Sequence, residues 1–414
     1  MRTIESRLSV ALRLTVTSRC GTAIDGASAL EASRRTTWRT SFIQEWSAFT
    51  VARGAHLPDG PASTFTGLSF SPPALAEWVL EPQPEHEFQP GGGHVVRLDI
   101  PSPVPIPLAD GELELSWSGG SSFGHLDVSI ELQPRFFFQS GDGVRLDDFL
   151  RRIGDPLEYF LGLVLGEPVL TREVHFAVGE PTDLENFRHG SLVLWRGSSE
   201  VGPPTRASHY WEHLLAFGER RESIGELLAR WIDMCERFRS AVSEFFSISI
   251  SPHMYGEEQF ARTVRALEVW SRLSHDDKPL SGDDFAELKS RLRSTCTAEE
   301  WEFLRVRIEF ANELSLKQRL DRLVDLSPEP LRGLLLAYPK FTRRVVDARN
   351  TLTHRGSLSS NVFDHTEMYW AQRSLEALFV VTLLSEVGLE GDSGRLLTRT
   401  SLWRSLISEF NVLQ

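Results

Sequence analysis

Apolar and polar residues alternate in several segments of the first 200 or so residues, which is the two-residue period of half-buried β-strands. The segments predicted as strands are 6–16, 94–100, 112–117, 125–132, 173–178 and 191–195. Turns rich in Pro and Gly lie between them, at 72–73, 91–93 and 101–107. One helical segment, 146–165, interrupts the strands. The pattern therefore predicts a β-rich N-terminal region.

From about residue 210 the apolar residues recur with the helical period of 3.6 instead. The predicted helices are 222–246, 257–273, 282–294, 297–324, 331–355, 365–387 and 396–410. Thr297 and Glu300 have the spacing of a capping box at a helix start. The helix over 331–355 is expected to bend at Tyr338 and Pro339, since proline removes a backbone hydrogen bond.

These two patterns together predict an α+β multidomain protein. A β-rich N-terminal domain with a sensing or regulatory role is expected over 1–205, a helical bridge over 206–252, and an all-α bundle over 253–414. No apolar run reaches the length needed to span a membrane, and the N-terminus lacks a signal-peptide core. The sequence therefore predicts a cytoplasmic protein without membrane partners.

The net charge and the cysteine content exclude some classes of function. The formal net charge of −13 argues against broad, nonspecific coating of nucleic acid, although it permits a local basic site. The three cysteines, Cys20, Cys235 and Cys296, are far apart and form neither a metal-ligand spacing nor a disulfide framework. We therefore predict no metal and no cofactor.

The string Arg-Asn-Thr-Leu-Thr-His at residues 349–354 is the clearest candidate for chemistry. His354 can move protons near neutral pH, Arg349 can grip a phosphate with paired donors, and Asn350 can orient either group. These side chains suit metal-free RNA cleavage. On the spacing alone, a solvated helix end whose cations complement the helix dipole is about as good an interpretation.

Helical geometry separates the residues of this segment onto two faces. Asn350 and His354 are four residues apart and fall together, opposite an apolar stripe that faces the bundle core. The stripe is formed by Phe341, Val345, Ala348 and Leu352. Arg349 lies at the edge of the stripe, and its length lets it reach outward.

Cations surround the string and are candidate substrate-binding residues. Residues 340–355 carry five cations against one anion, Asp347. The four cations besides Arg349 are Lys340, Arg343, Arg344 and Arg355. Their net positive charge is suited to an RNA backbone, although Asp347 could simply neutralise Arg343 or Arg344 at the surface.

Other patterns favour ordinary structure. Residues 120–124 match the nucleophile-elbow string, but a strand is predicted after them, so a hairpin turn is the better interpretation. His209 and His213 could share a helix face, yet without a third ligand a surface pair is favoured over a metal site. Trp231, Phe238 and Phe245 recur at seven-residue spacing, which indicates core packing more than base stacking.

The C-terminal part resembles a HEPN domain, whose endoribonucleases carry Arg-x(4–6)-His, often with Asn after the Arg, as residues 349–354 do. Residues 260–268 resemble the first helix of the ApeA-like HEPN group, and the resemblance covers roughly 255–390. ApeA-like proteins have a β-rich domain before the HEPN domain, as this sequence is predicted to have. The resemblance of the N-terminal region rests on this architecture and on the segment 156–163. Within 260–268, Glu268 could orient Arg349 through an ion pair or be a solvated edge residue, and a structural role is slightly favoured.

The resemblance implies an RNA-cleaving effector of abortive-infection defence against phage. In such a protein Arg349, Asn350 and His354 would be catalytic, cleavage would need no metal, and the 2′-hydroxyl of the RNA would attack the adjacent phosphate. The implied partners are RNA, with tRNA among the candidates, a second copy of the chain bound through the HEPN domain, and a phage-derived trigger. DNA would not be a substrate.

Two other functions stay open at this point. HEPN-like bundles can bind nucleotides or proteins without cleaving RNA, and Arg349 and His354 would then only hold a phosphate. Alternatively, the β-rich half could recognise carbohydrate or protein through Trp117, Trp195 and the aromatic run 136–138. Core burial would explain those aromatic residues equally well.

Overall fold

The fold is taken from a computed structural model. It describes residues 23–24, 50–54, 57, 62–80, 85–88, 94–123, 128–178, 188–194, 213–251, 254–274, 278–354 and 363–413. The chain divides into two compact units, Met1–Ile232 and Asp233–Gln414. This division falls inside the segment 206–252 that we predicted to be a bridge. The strand predicted at 6–16 lies outside the described residues.

The first unit is built on an antiparallel sheet. The strands of this unit are β1 (Ala23–Ile24), β2 (Thr50–Arg53), β3 (Thr64–Phe70), β4 (Glu85–Phe88), β5 (His94–Arg97), β6 (Val104–Ile106), β7 (Glu112–Phe123), β8 (Val128–Arg145), β9 (Glu173–Val178) and β10 (Arg188–Leu194). β4 and β5 form a separate two-stranded hairpin. Within the described residues the main sheet has the order β1-β2-β10-β9-β3-β8-β7-β6. The β-rich N-terminal region is therefore confirmed.

Most predicted strands are present, and β3 is the main strand that the sequence pattern missed. β3 has little alternation because four consecutive residues, Gly67 to Phe70, are buried, including Ser69. A strand covered on both faces carries no polar face to reveal it. β9 has the bounds that the pattern predicted, whereas β8 is much longer than the segment 125–132.

Short helices and aromatic side chains complete the core of the first unit. The helical segment predicted at 146–165 is confirmed as α2 (Leu146–Phe149), a π-helical turn (Leu150–Gly154) and α3 (Asp155–Leu165). The other helices here are α1 (Leu75–Val79) and α4 (Phe217–Arg220), while α5 (Ile224–Arg237) crosses the division between the units. Trp78 of α1 packs edge-on against Phe160 and Phe217, with ring centroids 5.3 and 5.2 Å apart.

The aromatic run of β8 belongs largely to this core. Phe136 and Phe138 are buried, and their rings contact Phe70 and Phe149 respectively. A role for these two residues in surface recognition is therefore wrong, because water is excluded from them. Trp195 lies outside the described residues.

The second unit is a helical bundle, as predicted. Its helices are α6 (Arg239–Ile250), α7 (Gly256–Ser274), α8 (Gly282–Thr295), α9 (Ala298–Arg307), α10 (Leu316–Leu326), α11 (Glu329–Ala337), α12 (Phe341–His354), α13 (His365–Leu384), α14 (Glu390–Arg399) and α15 (Ser401–Leu413). A π-helical turn (Ser385–Leu389) joins α13 to α14. Gly388 has φ +83° in this turn, a conformation that favours glycine. No helix in the described ranges combines the length and apolar character required to cross a bilayer.

Four predicted helices are each divided in two, including 222–246, which forms α5 and α6, and local signals explain several of the breaks. The capping box of Thr297 and Glu300 is confirmed at the start of α9. A second one, Ser315 with Gln318, starts α10 and so divides the predicted helix 297–324. Thr400, in extended backbone, divides the predicted helix 396–410. The predicted bend at Pro339 is a complete break, with Lys340 in left-handed backbone at φ +55°.

Helix α13 forms the centre of the bundle through its aromatic residues. Phe379 stacks on Phe245 of α6 at a centroid distance of 4.4 Å and meets Trp270 of α7 at 5.7 Å. Trp370, at the other end of α13, is fully buried and stacks on Tyr338 at 4.7 Å. The two ends of α13 thus bind different parts of the bundle together.

A cluster of polar side chains binds the N-terminal end of α12 to α13 and α10. Arg344 donates from Nη1 and Nη2 to the two carboxylate oxygens of Glu367 on α13, at 2.9 and 2.6 Å. The hydroxyl of Tyr338 donates to the same carboxylate at 2.5 Å. Thr342 donates to Asp321 of α10 at 2.6 Å. These bonds hold α12 against two neighbouring helices.

Replacing Trp370 tests the packing of this end of the bundle. Trp370→Ala is expected to lower the free energy of unfolding by about 3–5 kcal/mol, because it leaves a large cavity beside Tyr338, Phe341 and Phe410. Tyr369→Ala, at the adjacent exposed position, is the control and should cost under about 1 kcal/mol. Urea unfolding measures both, and equal losses would contradict the assigned packing.

The polar cluster predicts a pH dependence of stability. Burial tends to raise the pKa of Glu367, but hydrogen bonds from Arg344, Tyr338 and the backbone N–H of Asp364 outweigh it and lower the pKa to about 2. Because the folded-state pKa lies below the unfolded value of about 4.3, the stabilisation is complete above that value and is lost as the pH falls towards 2.

The expected result is a difference between wild type and Glu367→Gln that depends on pH. At pH 7 the variant should be less stable by about 2 kcal/mol, and the difference should shrink between about pH 4.3 and pH 2. Urea unfolding across this range provides the measurement. A difference that stays constant down to pH 2 would contradict the low pKa.

Candidate functional site

The candidate site lies on α12, and the helix has the two faces that the sequence predicted. Phe341, Val345 and Ala348 are buried, while Leu352 is half-buried. Asn350 is exposed on another side of the helix, and the Arg349 side chain is 35% exposed. The apolar stripe packs into the bundle and so fixes the rotation of α12 about its axis. That rotation places the polar positions of the string away from the core.

Arg349 and Asn350 contact each other, and Arg349 also contacts a distant helix. Nη1 of Arg349 donates to Oδ1 of Asn350 at 3.3 Å. Nη2 of Arg349 lies 3.5 Å from Oε2 of Glu268, a residue of α7. Glu268 is only 17% exposed, so the solvated-edge alternative for it is wrong. The guanidinium is thus oriented from two sides by oxygen atoms.

His354 is the last residue of α12. In a helix, position 354 follows position 350 by about one turn and lies on the same face. The structure describes the backbone of His354 but not its side chain, and Arg355 lies outside the described residues. Their roles therefore stay predictions.

The other predicted substrate-binding cations fall into two groups. Lys340 is exposed, and Arg343 is 59% exposed, with its Nε donating to Asp347 at 3.2 Å. Both can reach a ligand at the surface. Arg344 is different, because its guanidinium is bound to Glu367 and Tyr338 and its side chain is 21% exposed. This geometry favours a structural role for Arg344.

A charge network lies behind Arg349. Arg272, one turn after Glu268 on α7, donates from Nη2 to Oε1 of Glu268 at 3.0 Å, and its Nη1 lies 3.5 Å from Glu313. Burial and the nearby charge of Arg272 lower the pKa of the buried Arg319, whereas the charges of Glu313 and Glu268 oppose that shift. The spacing of Glu268 and Arg272 is visible in the sequence, and the contact of Glu268 with Arg349, 81 residues away, is the ion pair that was one of the two alternatives for Glu268.

The patterns that we interpreted as ordinary structure mostly prove to be so. Gly120 lies in β7, which pairs antiparallel with β8 up to Phe123 and Val128, so the described part of the elbow-like string belongs to a strand and β8 is the next described element. His213 is buried and therefore does not form the predicted surface pair, while His209 lies outside the described residues. Within the described ranges, no three His, Cys, Asp or Glu residues are grouped to hold a metal ion. Core packing of the seven-residue aromatic series, which is buried throughout, is confirmed for Trp231, Phe238 and Phe245.

The arrangement on α12 is suited to an anion. A guanidinium has five N–H donors in a fixed plane, and the contacts of Arg349 with Glu268 and Asn350 use only part of them. The remaining donors can meet two oxygens of one phosphate. Position 354, five residues after Arg349, carries a histidine, a residue type that exchanges protons near neutral pH.

Comparisons with known protein families match two family models along the chain. The model of the Apea-like HEPN family matches residues 262–393, which include α12, Glu268 and the charge network behind Arg349. The model of ApeA N-terminal domain 1 matches residues 21–231, just over half of the chain. Searches of curated proteins and of solved structures found no match. With a β-rich unit followed by a HEPN bundle, the chain belongs to the ApeA-like HEPN family.

Proposed function

We propose that this protein is a metal-independent endoribonuclease that acts as an effector in abortive-infection defence against phage. The observation that carries the proposal is the guanidinium of Arg349, oriented by Glu268 and Asn350 at the outer side of α12, five residues before His354. Membership of the ApeA-like HEPN family supports a role in defence. The string Arg-Asn-x3-His supports the enzymatic activity.

The proposed reaction is an internal phosphoryl transfer within the RNA. The 2′-oxygen loses its proton and forms a bond to the adjacent phosphorus, and the bond from that phosphorus to the 5′-oxygen of the next nucleotide breaks. The products are a 2′,3′-cyclic phosphate and a 5′-hydroxyl end. His354 takes the proton from the 2′-hydroxyl or gives one to the leaving oxygen.

Arg349 stabilises the charge that develops during this step. The phosphate oxygens gain negative charge as the new bond forms, and a guanidinium with two parallel N–H donors can bind two of them. Asn350 restrains the guanidinium through its Oδ1, which accepts from Nη1 at 3.3 Å. Lys340 and Arg343, both exposed, extend the positive surface along the RNA backbone.

We further propose that the active form is a homodimer through the HEPN bundle. One histidine cannot act as base and acid in the same instant, whereas two copies of α12 across a two-fold axis would supply two histidines and two arginines. The exposed side of α12 at Asn350 supports this arrangement. The β-rich unit would restrain the nuclease until a phage-derived trigger acts, and tRNA is a candidate among the RNA substrates.

Two variants of α12 test the catalytic assignment. His354→Ala is expected to reduce RNA cleavage by about 10²- to 10⁴-fold, and Arg349→Ala by about 10²- to 10³-fold. Arg305→Ala, an exposed residue of α9 with 56% of its side chain accessible, is the control and should cleave like wild type. Cleavage is measured in EDTA with purified protein, and circular dichroism checks the fold.

The outcomes separate the two candidate functions. Full activity in both variants would contradict the catalytic assignment. Tight nucleotide binding by wild type without any cleavage would favour a binding module, in which Arg349 and His354 only hold a phosphate.

The chemistry of the substrate provides a further test. Because the 2′-hydroxyl is the nucleophile, DNA and 2′-O-methyl RNA of the same sequence are expected to remain uncut, and the RNA products should end in 2′,3′-cyclic phosphate. Mass spectrometry of the products measures both. Cleavage of DNA, or 3′-hydroxyl ends on the RNA products, would contradict the proposed reaction.

A further inference from the structure

Residues 280–312, which contain α8 and α9, form a helical arm with an exposed apolar surface. Both helices are described throughout, and neither contains a buried residue. Among the described elements, neither packs extensively against another helix or strand. Phe303 and Val306 of α9 are nevertheless each 59% exposed, and Phe310, in the turn after α9, is 66% exposed. We propose that this surface binds the same surface of a second copy of the chain, with the two α9 helices antiparallel.

Helix α9 has apolar residues on two opposite faces. Trp301 and Leu304 are half-buried and lie on one face. At about 100° per residue, Phe303 and Val306 fall on the other. A helix with apolar residues on both faces is normally covered on both. Because only one face of α9 is partly covered by its own chain, the other indicates a surface for another molecule.

The arm is held in shape at its base and at the start of each helix. Asn312 is buried, and its Nδ2 donates to the carbonyl oxygen of Leu280 at 2.8 Å while its Oδ1 accepts from the backbone N–H of Leu280 at 2.8 Å. Ser281 caps α8, and the capping box at Thr297 starts α9. The surface is therefore ordered before it binds, which lowers the entropy cost of association.

The apolar surface has the composition of an interface centre. The guanidinium of Arg307 lies over the ring of Phe303, 3.6 Å from its centroid, and donates from Nη1 to the carbonyl oxygen of the same residue at 2.8 Å. Aromatic residues and arginine are enriched at the centres of protein interfaces and supply much of the binding energy there. The stack therefore offers a partner an aromatic ring with a cation fixed on it.

The charges of the arm favour a second copy over RNA. Five cations and seven anions lie within 280–312, so a phosphate backbone would meet a net negative segment. In both helices the acidic residues come first, an order that also suits the dipole of each helix. A two-fold axis across α9 would place the acidic half of one helix beside the basic half of the other, so the pattern complements itself. The acidic and then the basic residues are Asp283, Asp284, Glu287, Lys289, Arg291 and Arg293 in α8, and Glu299, Glu300, Glu302, Arg305 and Arg307 in α9.

The first measurement is the mass of the full-length protein in solution. Sedimentation velocity over a range of concentrations compares wild type with the double variant Phe303→Ser/Val306→Ser. The variant is expected to weaken self-association about 10- to 100-fold, because the apolar anchors are lost. Leu336→Ser is the matched control, since Leu336 of α11 is an equally exposed apolar residue at 66% and lies outside the arm. Circular dichroism checks that each variant folds.

The second measurement is a cross-link that depends on the two-fold axis. A residue beside such an axis meets its own copy, so Val306→Cys is expected to form a disulfide-linked dimer under mild oxidation. Cys296 of the arm is replaced by Ser beforehand, and Cys235 is buried. Leu336→Cys in the same background is the control and should not be linked.

The outcomes decide the inference separately from the nuclease proposal, because no residue of the string 349–354 takes part in it. Equal self-association of wild type and the double variant, or an equal loss with Leu336→Ser, would overturn it, as would the absence of a linked Val306→Cys dimer. A loss of RNA affinity in the double variant at unchanged mass would assign the surface to RNA and also overturn it. If the arm-dependent association is found but wild type cuts no RNA, the inference stands and the nuclease proposal fails.

Discussion

The site depends on one packing constraint, which is the burial of the apolar stripe of α12 against the bundle. Val345 and Ala348 have no accessible surface, so the helix cannot turn about its axis without exposing them or creating a cavity. Since successive residues are separated by about 100°, the directions of positions 349, 350 and 354 are set once those two are buried. Burial of the apolar face therefore decides which way the polar residues of α12 point.

Two ion pairs, one to α13 and one to α7, also hold α12 in place. They differ in length and in how many donor groups they use. Near the N-terminal end, the bidentate pair of Arg344 with Glu367 joins α12 firmly to α13. Closer to the C-terminal end, the looser contact of Arg349 with Glu268 orients a charge and leaves it able to bind something else. The same residue type thus serves structure at one position and, in our proposal, function five residues later. The difference lies in how many of the donor groups the protein itself uses.

Much of this arrangement could be predicted from the sequence because it is local. The helical period predicted the stripe of α12, and the string 349–354 indicated the candidate chemistry. Pro339 predicted a bend at the place where the structure has a complete break. The capping signal of Ser315 was also present in the sequence, but the strong helical period on both sides of it led to one predicted helix instead of two. Local signals therefore predicted the kinds of elements better than their ends.

The features that could not be predicted depend on contacts between distant residues. β3 is covered on both faces, so the polar alternation that identifies a surface strand is absent from it. The ion pair of Glu268 with Arg349 was one of two alternatives for Glu268, and only the packing of α7 against α12, which no local pattern specifies, decides between them. The burial of His213 likewise depends on its surroundings and not on its neighbours in the chain.

The most direct test of the central claim is a structure of the protein bound to 2′-O-methyl RNA. We expect a phosphate oxygen within hydrogen-bond distance of the Arg349 guanidinium, about 2.7–2.9 Å, and the imidazole of His354 beside the 2′-oxygen or the 5′-oxygen of the same linkage. An RNA backbone bound elsewhere, with the outer side of α12 uncovered, would contradict the account.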